Sequence, residues 1–176
     1  YMYKFRSMRI DAEKNGPKWA DQNDDRCTRL GKFLRKCRLD ELPQLWNIFV
    51  GHMSLVGPRP ERPFFYDEFE TYIHGFRNRL AVQPGLTGLA QVNGRNNIPW
   101  EKKFEYDLQY IENITFWGDI KILFKTVFKV FARDGISADG MATAEDLGDY
   151  LLGKGEVDYA EYTEKQNEAL ELVKNL

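Results

Sequence analysis

At 176 residues, 43% apolar and 30% charged, with 14 glycines and 7 prolines, the chain is an ordinary globular sequence, which excludes disorder and collagen-like repeats. A domain of this length buries about 70% of the surface its unfolded chain exposes, so its core needs neither disulfides nor a structural metal. The net charge of −2 hides a gradient: residues 1–62 carry 13 basic and 8 acidic side chains, residues 63–133 carry 9 and 8, and residues 134–176 carry 3 and 11. The front of the chain therefore suits anionic ligands better than the tail, and the overall balance argues against nucleic acid.

Cys27 and Cys37 show no CxxC or Cys/His spacing and read as reduced thiols of a cytoplasmic-type compartment. No window approaches the roughly 18 apolar residues of a spanning helix, and no signal peptide is visible. The start at Tyr1, with Met2 inside a strand-like run, is expected of a fragment that lacks a natural N-terminal part.

In chain order, the alternation at Tyr1, Tyr3 and Phe5 predicts an edge strand or hairpin arm over residues 1–11. Residues 12–25, with Gly16-Pro17, form a loop. From Thr28, Leu30, Phe33, Leu34 and Cys37 follow helical spacing opposite a cationic face of Arg29, Lys32, Arg35 and Lys36. A second helix starts just after Asp40-Glu41, with Leu42, Leu45, Trp46 and Phe49 in register, and stops at Gly51. Three prolines make residues 54–63 a constrained loop holding Arg59 and Arg62.

Pro63 opens a helix running to about residue 76. Residues 80–94 read as short strands and turns, and residues 100–111 as an amphipathic helix. Over residues 117–133 an apolar face opposes Lys121, Lys125, Lys129 and Arg133, the composition of a helix lying on an anionic membrane surface or of a core helix with snorkelling lysines. The tail reads as two acidic helices, 143–152 and 157–176, separated at Gly153 and Gly155, with Thr143 and Asp146 resembling a capping box. Such helices can pair between chains, giving a homo-oligomer, or fold back on their own domain.

The chemistry concentrates in Arg35-Lys36-Cys37-Arg38-Leu39-Asp40-Glu41, where adjacent carboxylates follow a run of cations. One reading makes Asp40 an ordinary helix cap, contributing about 1 kcal/mol. The other makes it a nucleophile toward a phosphate. An ionised carboxylate meets phosphate charge with a repulsion of roughly 4 kcal/mol per charge pair at 4 Å and an effective dielectric near 20, so cations must stand beside it. Arginines match phosphate oxygens bidentately, and the proline-fixed Gly57-Pro58-Arg59-Pro60 loop supplies one. Magnesium suits such a site, because it takes oxygen ligands and needs only one or two carboxylates, with Glu41 the nearest candidate.

The stretches Tyr3-Lys4-Phe5-Arg6-Ser7-Met8-Arg9, Leu39-Asp40-Glu41-Leu42-Pro43-Gln44-Leu45, Met53-Ser54-Leu55-Val56-Gly57-Pro58-Arg59-Pro60, Val82-Gln83-Pro84-Gly85-Leu86-Thr87-Gly88 and Ala90-Gln91-Val92-Asn93-Gly94 occur in this order. The set resembles the bacterial sugar transferases, also called monotopic polyprenyl-phosphate phosphoglycosyl transferases, and spans about residues 3–133. The resemblance implies a ping-pong reaction: Asp40 attacks the sugar-proximal phosphate of a UDP-sugar, UMP leaves, and a polyprenyl phosphate takes the phosphosugar from the aspartyl enzyme. It further implies that Glu41 helps hold Mg2+, that Arg35, Arg59 and Arg95 meet substrate phosphate, and that Asp119 and Pro58 support the site.

Family members usually begin with an apolar re-entrant helix, absent before Tyr3, and commonly carry an acid where this chain has His52. The expected fold is α+β, mainly helical with a small antiparallel sheet or hairpin. The expected division is a catalytic segment 1–138 and an acidic helical extension 139–176. The expected place is the cytoplasmic face of the bacterial inner membrane, reached through the missing N-terminal segment and residues 117–133. The reading from a different class is a noncatalytic anion-binding or membrane-surface scaffold.

Overall fold

The computed structural model describes residues 1–12, 14, 24–94, 98–132 and 146–174. Helix α1, Arg29–Lys36, opens where the Thr28 hydroxyl accepts from the Gly31 amide at 2.9 Å, and Arg35 and Lys36 in its last turn complement the helix dipole. Residues 1–8 do not form the expected strand. They run as an extended arm whose one bridge pairs Met8 with Cys27. The arm is held through its backbone: Thr28 N–H donates to Ser7 O and Phe5 N–H to Asp40 O, each at 3.0 Å, while Asn47 bonds Tyr3 N–H and Tyr1 O. Gly31 permits this, since a Cβ there would lie 1.8 Å from the Ser7 carbonyl oxygen.

The second helix starts later than the sequence suggests. Leu39–Glu41 wind into a 3-10 turn, and α2, Gln44–Phe49, follows Pro43. Asp40 thus sits inside a tight turn rather than at a helix N-terminus, and no side-chain capping bond forms at that turn.

Strands β1, Ser54–Val56, and β2, Gly85–Thr87, pair in parallel, with Ser54 opposite Gly85 and Val56 opposite Thr87. This corrects the expected antiparallel arrangement. The intervening chain contains α3, Pro63–Tyr72, and a 3-10 turn, Phe76–Ala81, and a helix-bearing crossover of that length delivers the second strand in the same direction as the first. Helix α3 ends at Tyr72 instead of reaching residue 76 because Ile73 is extended. Residues 89–92 form a one-turn helix, α4 (Leu89–Val92). Helices α5, Trp100–Glu112, and α6, Phe116–Ala132, follow near their expected bounds.

In the tail, α7 (Leu147–Lys154) is capped by Asp146, which accepts from the amides of Gly148 and Asp149. It ends at Gly155 in the left-handed region, with Gly153 inside the helix, and α8 (Tyr159–Lys174) folds back against α3. Thr143, and the boundary expected at 138/139, lie outside the described residues.

Two apolar clusters organise the chain. Phe65, Phe69, Phe76 and Trp100 pack with Leu147, Leu151 and Val157 of the tail. Phe69 meets Phe76 and Trp100 edge-on at 5.2 and 4.6 Å between ring centroids. The second cluster, Val56, Val92, Tyr110 and Ile122, joins β1, α4, α5 and α6. Three helices depart from the usual rule. Leu30 and Phe33 of α1, Leu45, Trp46 and Phe49 of α2, and Phe124, Val127 and Phe128 of α6 are exposed, whereas polar Gln44 and Asn47 are buried. The apolar stripes that periodicity identified in α1 and α2 therefore face outward. No helix among the described residues is long and apolar enough to cross a membrane.

Candidate active site

The site forms where the N-terminal arm crosses the turn between α1 and α2. Arg38 adopts the left-handed conformation with φ of 57°, alone among the described non-glycine residues, a geometry that costs an L-residue roughly 1–2 kcal/mol. Strain of this kind gathers at functional sites. It reverses the chain out of α1 so that Asp40 and Glu41 meet the arm. Because Phe5 N–H is bonded to Asp40 O, Lys4 is carried to the same place.

Glu41 is the electrostatic hub. Its Oε1 accepts from Arg59 Nη2 at 2.8 Å and lies 3.5 Å from Lys4 Nζ. Burial first, and then the Glu41 charge, push the half-buried Asp40 carboxyl above its usual range, while Lys4 and Arg35 pull it down. Lys4 is held below the ordinary lysine value by burial and by Arg59, against the opposing pull of Glu41 and Asp40. Burial disfavours the Arg59 charge, but Glu41 and Glu61 outweigh it and its pKa stands above the usual value. Arg35 reaches the site from the last turn of α1, its Nε donating to Ser7 Oγ at 2.8 Å.

The loop bearing Arg59 is fixed by backbone approaching backbone. Gly57 N–H donates to Thr87 O at 2.8 Å and Gly85 N–H to Pro58 O at 2.9 Å. Cβ atoms at Gly85 and Gly88 would each lie 2.1 Å from Gly57 backbone atoms, so only glycine fits at these crossings. Pro58 is buried beneath the loop.

Of the residues expected from sequence, Asp40, Glu41, Arg35 and Arg59 therefore come together. Asp119 does not join them: its Oδ1 accepts from the Tyr110 hydroxyl at 3.0 Å, and the same hydroxyl lies 3.2 Å from Val56 O. Through the Tyr110 hydroxyl, Asp119 is thus linked to the strand leading into the arginine loop. Arg95 lies outside the described residues. Sequence reasoning missed Lys4, which the alternating pattern assigned to a strand, although it stands within the matched stretch 3–9.

The profile of the family described as "Bacterial sugar transferase" matches residues 1–133. The chain is 45% identical over 156 residues to "Uncharacterized sugar transferase EpsL" of Bacillus subtilis, covering 89% of this chain and 73% of that protein. It is 45% identical over 135 residues to the "UDP-glucose:undecaprenyl-phosphate glucose-1-phosphate transferase" of Klebsiella pneumoniae, covering 74% of this chain and 29% of that protein. It is 44% identical over 148 residues to the "Undecaprenyl-phosphate galactose phosphotransferase" of Salmonella typhimurium, covering 76% of this chain and 30% of that protein. The chain thus spans about three quarters of the first of these relatives and under a third of the other two. The carboxylate pair, its cations and the glycine-fixed loop all lie within the matched segment, and the chain belongs to the bacterial sugar transferase family.

Proposed function

We propose that this chain moves a sugar 1-phosphate from a UDP-sugar to a polyprenyl phosphate, with Asp40 as the nucleophile. The observation that carries the reading is the pairing of a half-buried Asp40 with Glu41 among Lys4, Arg35 and Arg59. In the first step an Asp40 carboxylate oxygen bonds to the sugar-proximal phosphorus, the phosphoanhydride bond breaks, and UMP departs with the electron pair. In the second, a phosphate oxygen of the lipid bonds to the same phosphorus and displaces the Asp40 carboxylate, leaving a lipid-linked diphosphate sugar. Neither step needs an external oxidant, and each closes without a net proton transfer. Arg35, Arg59 and Lys4 offset charge accumulating on the phosphoryl oxygens in a partly desolvated site.

Among the described residues no three His, Cys, Asp or Glu side chains are grouped to hold a metal. The adjacent Asp40 and Glu41 carboxylates offer the hard oxygen donors that fit magnesium shared with substrate, since this ion is usually held by one or two carboxylates plus phosphate oxygens. Glu41 would be its protein ligand. When bound, the ion supplies Lewis-acid neutralisation of the diphosphate. Membrane contact is part of the proposal. The outward apolar faces of α1, α2 and α6, with exposed Lys121 and Lys125 on α6, suit the interface of an anionic bilayer. The lipid substrate would be met on the cytoplasmic face of the bacterial inner membrane.

The test is intact-protein mass after incubation with UDP-sugars and magnesium. The expected result is a gain of one phosphosugar with release of UMP, both absent in Asp40→Asn. A gain that persists in Asp40→Asn removes Asp40 as nucleophile, and no gain with any UDP-sugar favours the noncatalytic scaffold.

A further inference from the structure

Arg79 and Asp107 form an ion pair inside the molecule. Arg79 Nε donates to Asp107 Oδ2 at 2.7 Å, and the two side chains are 4% and 2% exposed. Such a pair is weak as a source of stability, because desolvating both charges offsets their attraction. Arg79 also leaves Nη1 buried without a partner, a further cost. What the arrangement achieves is found at the third nitrogen: Nη2 donates to the backbone carbonyl of Arg59 at 3.1 Å.

The local structure is built around that bond. Gly75, at φ of 81°, turns the chain out of α3, and the Glu70 carboxylate accepts from the amides of Gly75 and Arg77 at 2.8 Å each, fixing the 3-10 turn that carries Arg79. The Arg79 guanidinium lies 4.7 Å from the centroid of the Phe76 ring, which limits its swing. On the receiving side, Pro58 and Pro60 have no backbone N–H with which to anchor the loop. Its carbonyls carry the anchoring instead, Pro58 O toward Gly85 and Arg59 O toward Arg79.

We infer that Arg79, locked by Asp107, is a positioning residue that holds the Arg59 carbonyl and thereby aims the Arg59 guanidinium at Glu41 and the incoming phosphate. The inference rests on the reading of Arg59 as a phosphate-binding group. The chain of contacts runs from Asp107 on α5 through the Phe76–Ala81 turn to the Pro-Arg-Pro loop, and it ends on the 2.8 Å bond between Arg59 and Glu41.

The experiment is a double-mutant cycle read in two ways: the rate of phosphosugar adduct formation at saturating UDP-sugar, and the affinity for UDP by calorimetry. Arg79→Met/Asp107→Leu replaces the pair with apolar side chains of similar volume, an exchange proteins often tolerate. Arg79→Lys, which keeps the charge but lacks the arm to Arg59, serves should the first fail to fold by circular dichroism. With Arg59 present, either variant is expected to slow adduct formation about tenfold or more, since small misplacements of binding groups carry costs of that order, and to weaken UDP binding. In an Arg59→Ala background the same changes are expected to have less than about a twofold effect.

A folded variant with parental rate and affinity overturns the inference, as does an equal loss in both backgrounds, which is the mark of a general structural role. A parent that forms no adduct, but shows the non-additive loss of UDP affinity, would sink the transfer reaction and leave the positioning role standing.

Discussion

At the scale of single residues, the proposed attack of Asp40 on phosphorus requires an ionised carboxyl, so under that proposal its raised pKa would set the acid limb of adduct formation. Single-turnover adduct formation should fall with decreasing pH through a value above the roughly 3.9 of an ordinary aspartate. The neighbours bias that limb in opposite senses. Glu41→Gln removes a like charge and moves the limb to lower pH, whereas Lys4→Met removes a cation and moves it higher, each alongside a loss of rate. A limb indifferent to both changes would mean that another group titrates. Arg59→Ala should lower the adduct-forming rate by roughly 10²–10³, the usual cost of losing a group aimed at developing charge; stopped-flow quench with mass detection measures it. The run holding Arg35, Asp40 and Glu41 and the proline-marked loop holding Arg59 drew notice by spacing, which left Asp40 open as a helix cap, and the family resemblance was what singled them out as site candidates. Lys4 was not legible, because a backbone bond from Phe5 to Asp40, invisible in a residue pattern, brings it in.

At the scale of elements, Gly31 joins α1 to the arm that delivers Lys4. Gly31→Ala drives a Cβ against the Ser7 carbonyl, a backbone atom that yields only if the arm shifts. Overpacking of this kind costs about 1–3 kcal/mol, so urea unfolding should show that loss. Adduct formation should drop further than in a stability-matched variant elsewhere, because Lys4 leaves Glu41. Helical periodicity located α1, α2 and α6 to within a few residues, yet left open what medium covers each apolar stripe. For α1 and α2 that stripe faces outward while Gln44 and Asn47 go inside, where Asn47 ties down the arm. If these faces rest on lipid, co-sedimentation with anionic liposomes should be strong for the parent and reduced in Lys121→Glu/Lys125→Glu, by about 1 kcal/mol per lysine before the added repulsion. Unchanged binding would remove α6 from the interface.

At the scale of the whole molecule, the acidic tail is joined to the segment that the family profile matches through a buried carboxyl. Glu68 on α3, 1% exposed, accepts from Gln166 of α8 and faces Asp149 of α7, its cap Asp146, and Tyr72 of its own helix. Burial, and then Asp146, push its pKa up to about 8. The folded state therefore binds this proton more tightly than the unfolded chain, and the associated stability is complete below about pH 4.3, the unfolded value. It is lost as pH rises through the folded value. Hydrogen exchange in α7 and α8 should accelerate between about pH 4.3 and 8 beyond its intrinsic base catalysis, with no further excess above that, and Glu68→Gln should flatten the excess. The segment that the family profile matches and the unit that packs together have different ends. The family profile stops at residue 133, whereas Phe65 and Phe69 are roofed by Leu147, Leu151 and Val157. A gene trimmed to residues 1–133 would leave those rings facing water, and such a product should clump unless detergent or the severed helical hairpin is added back.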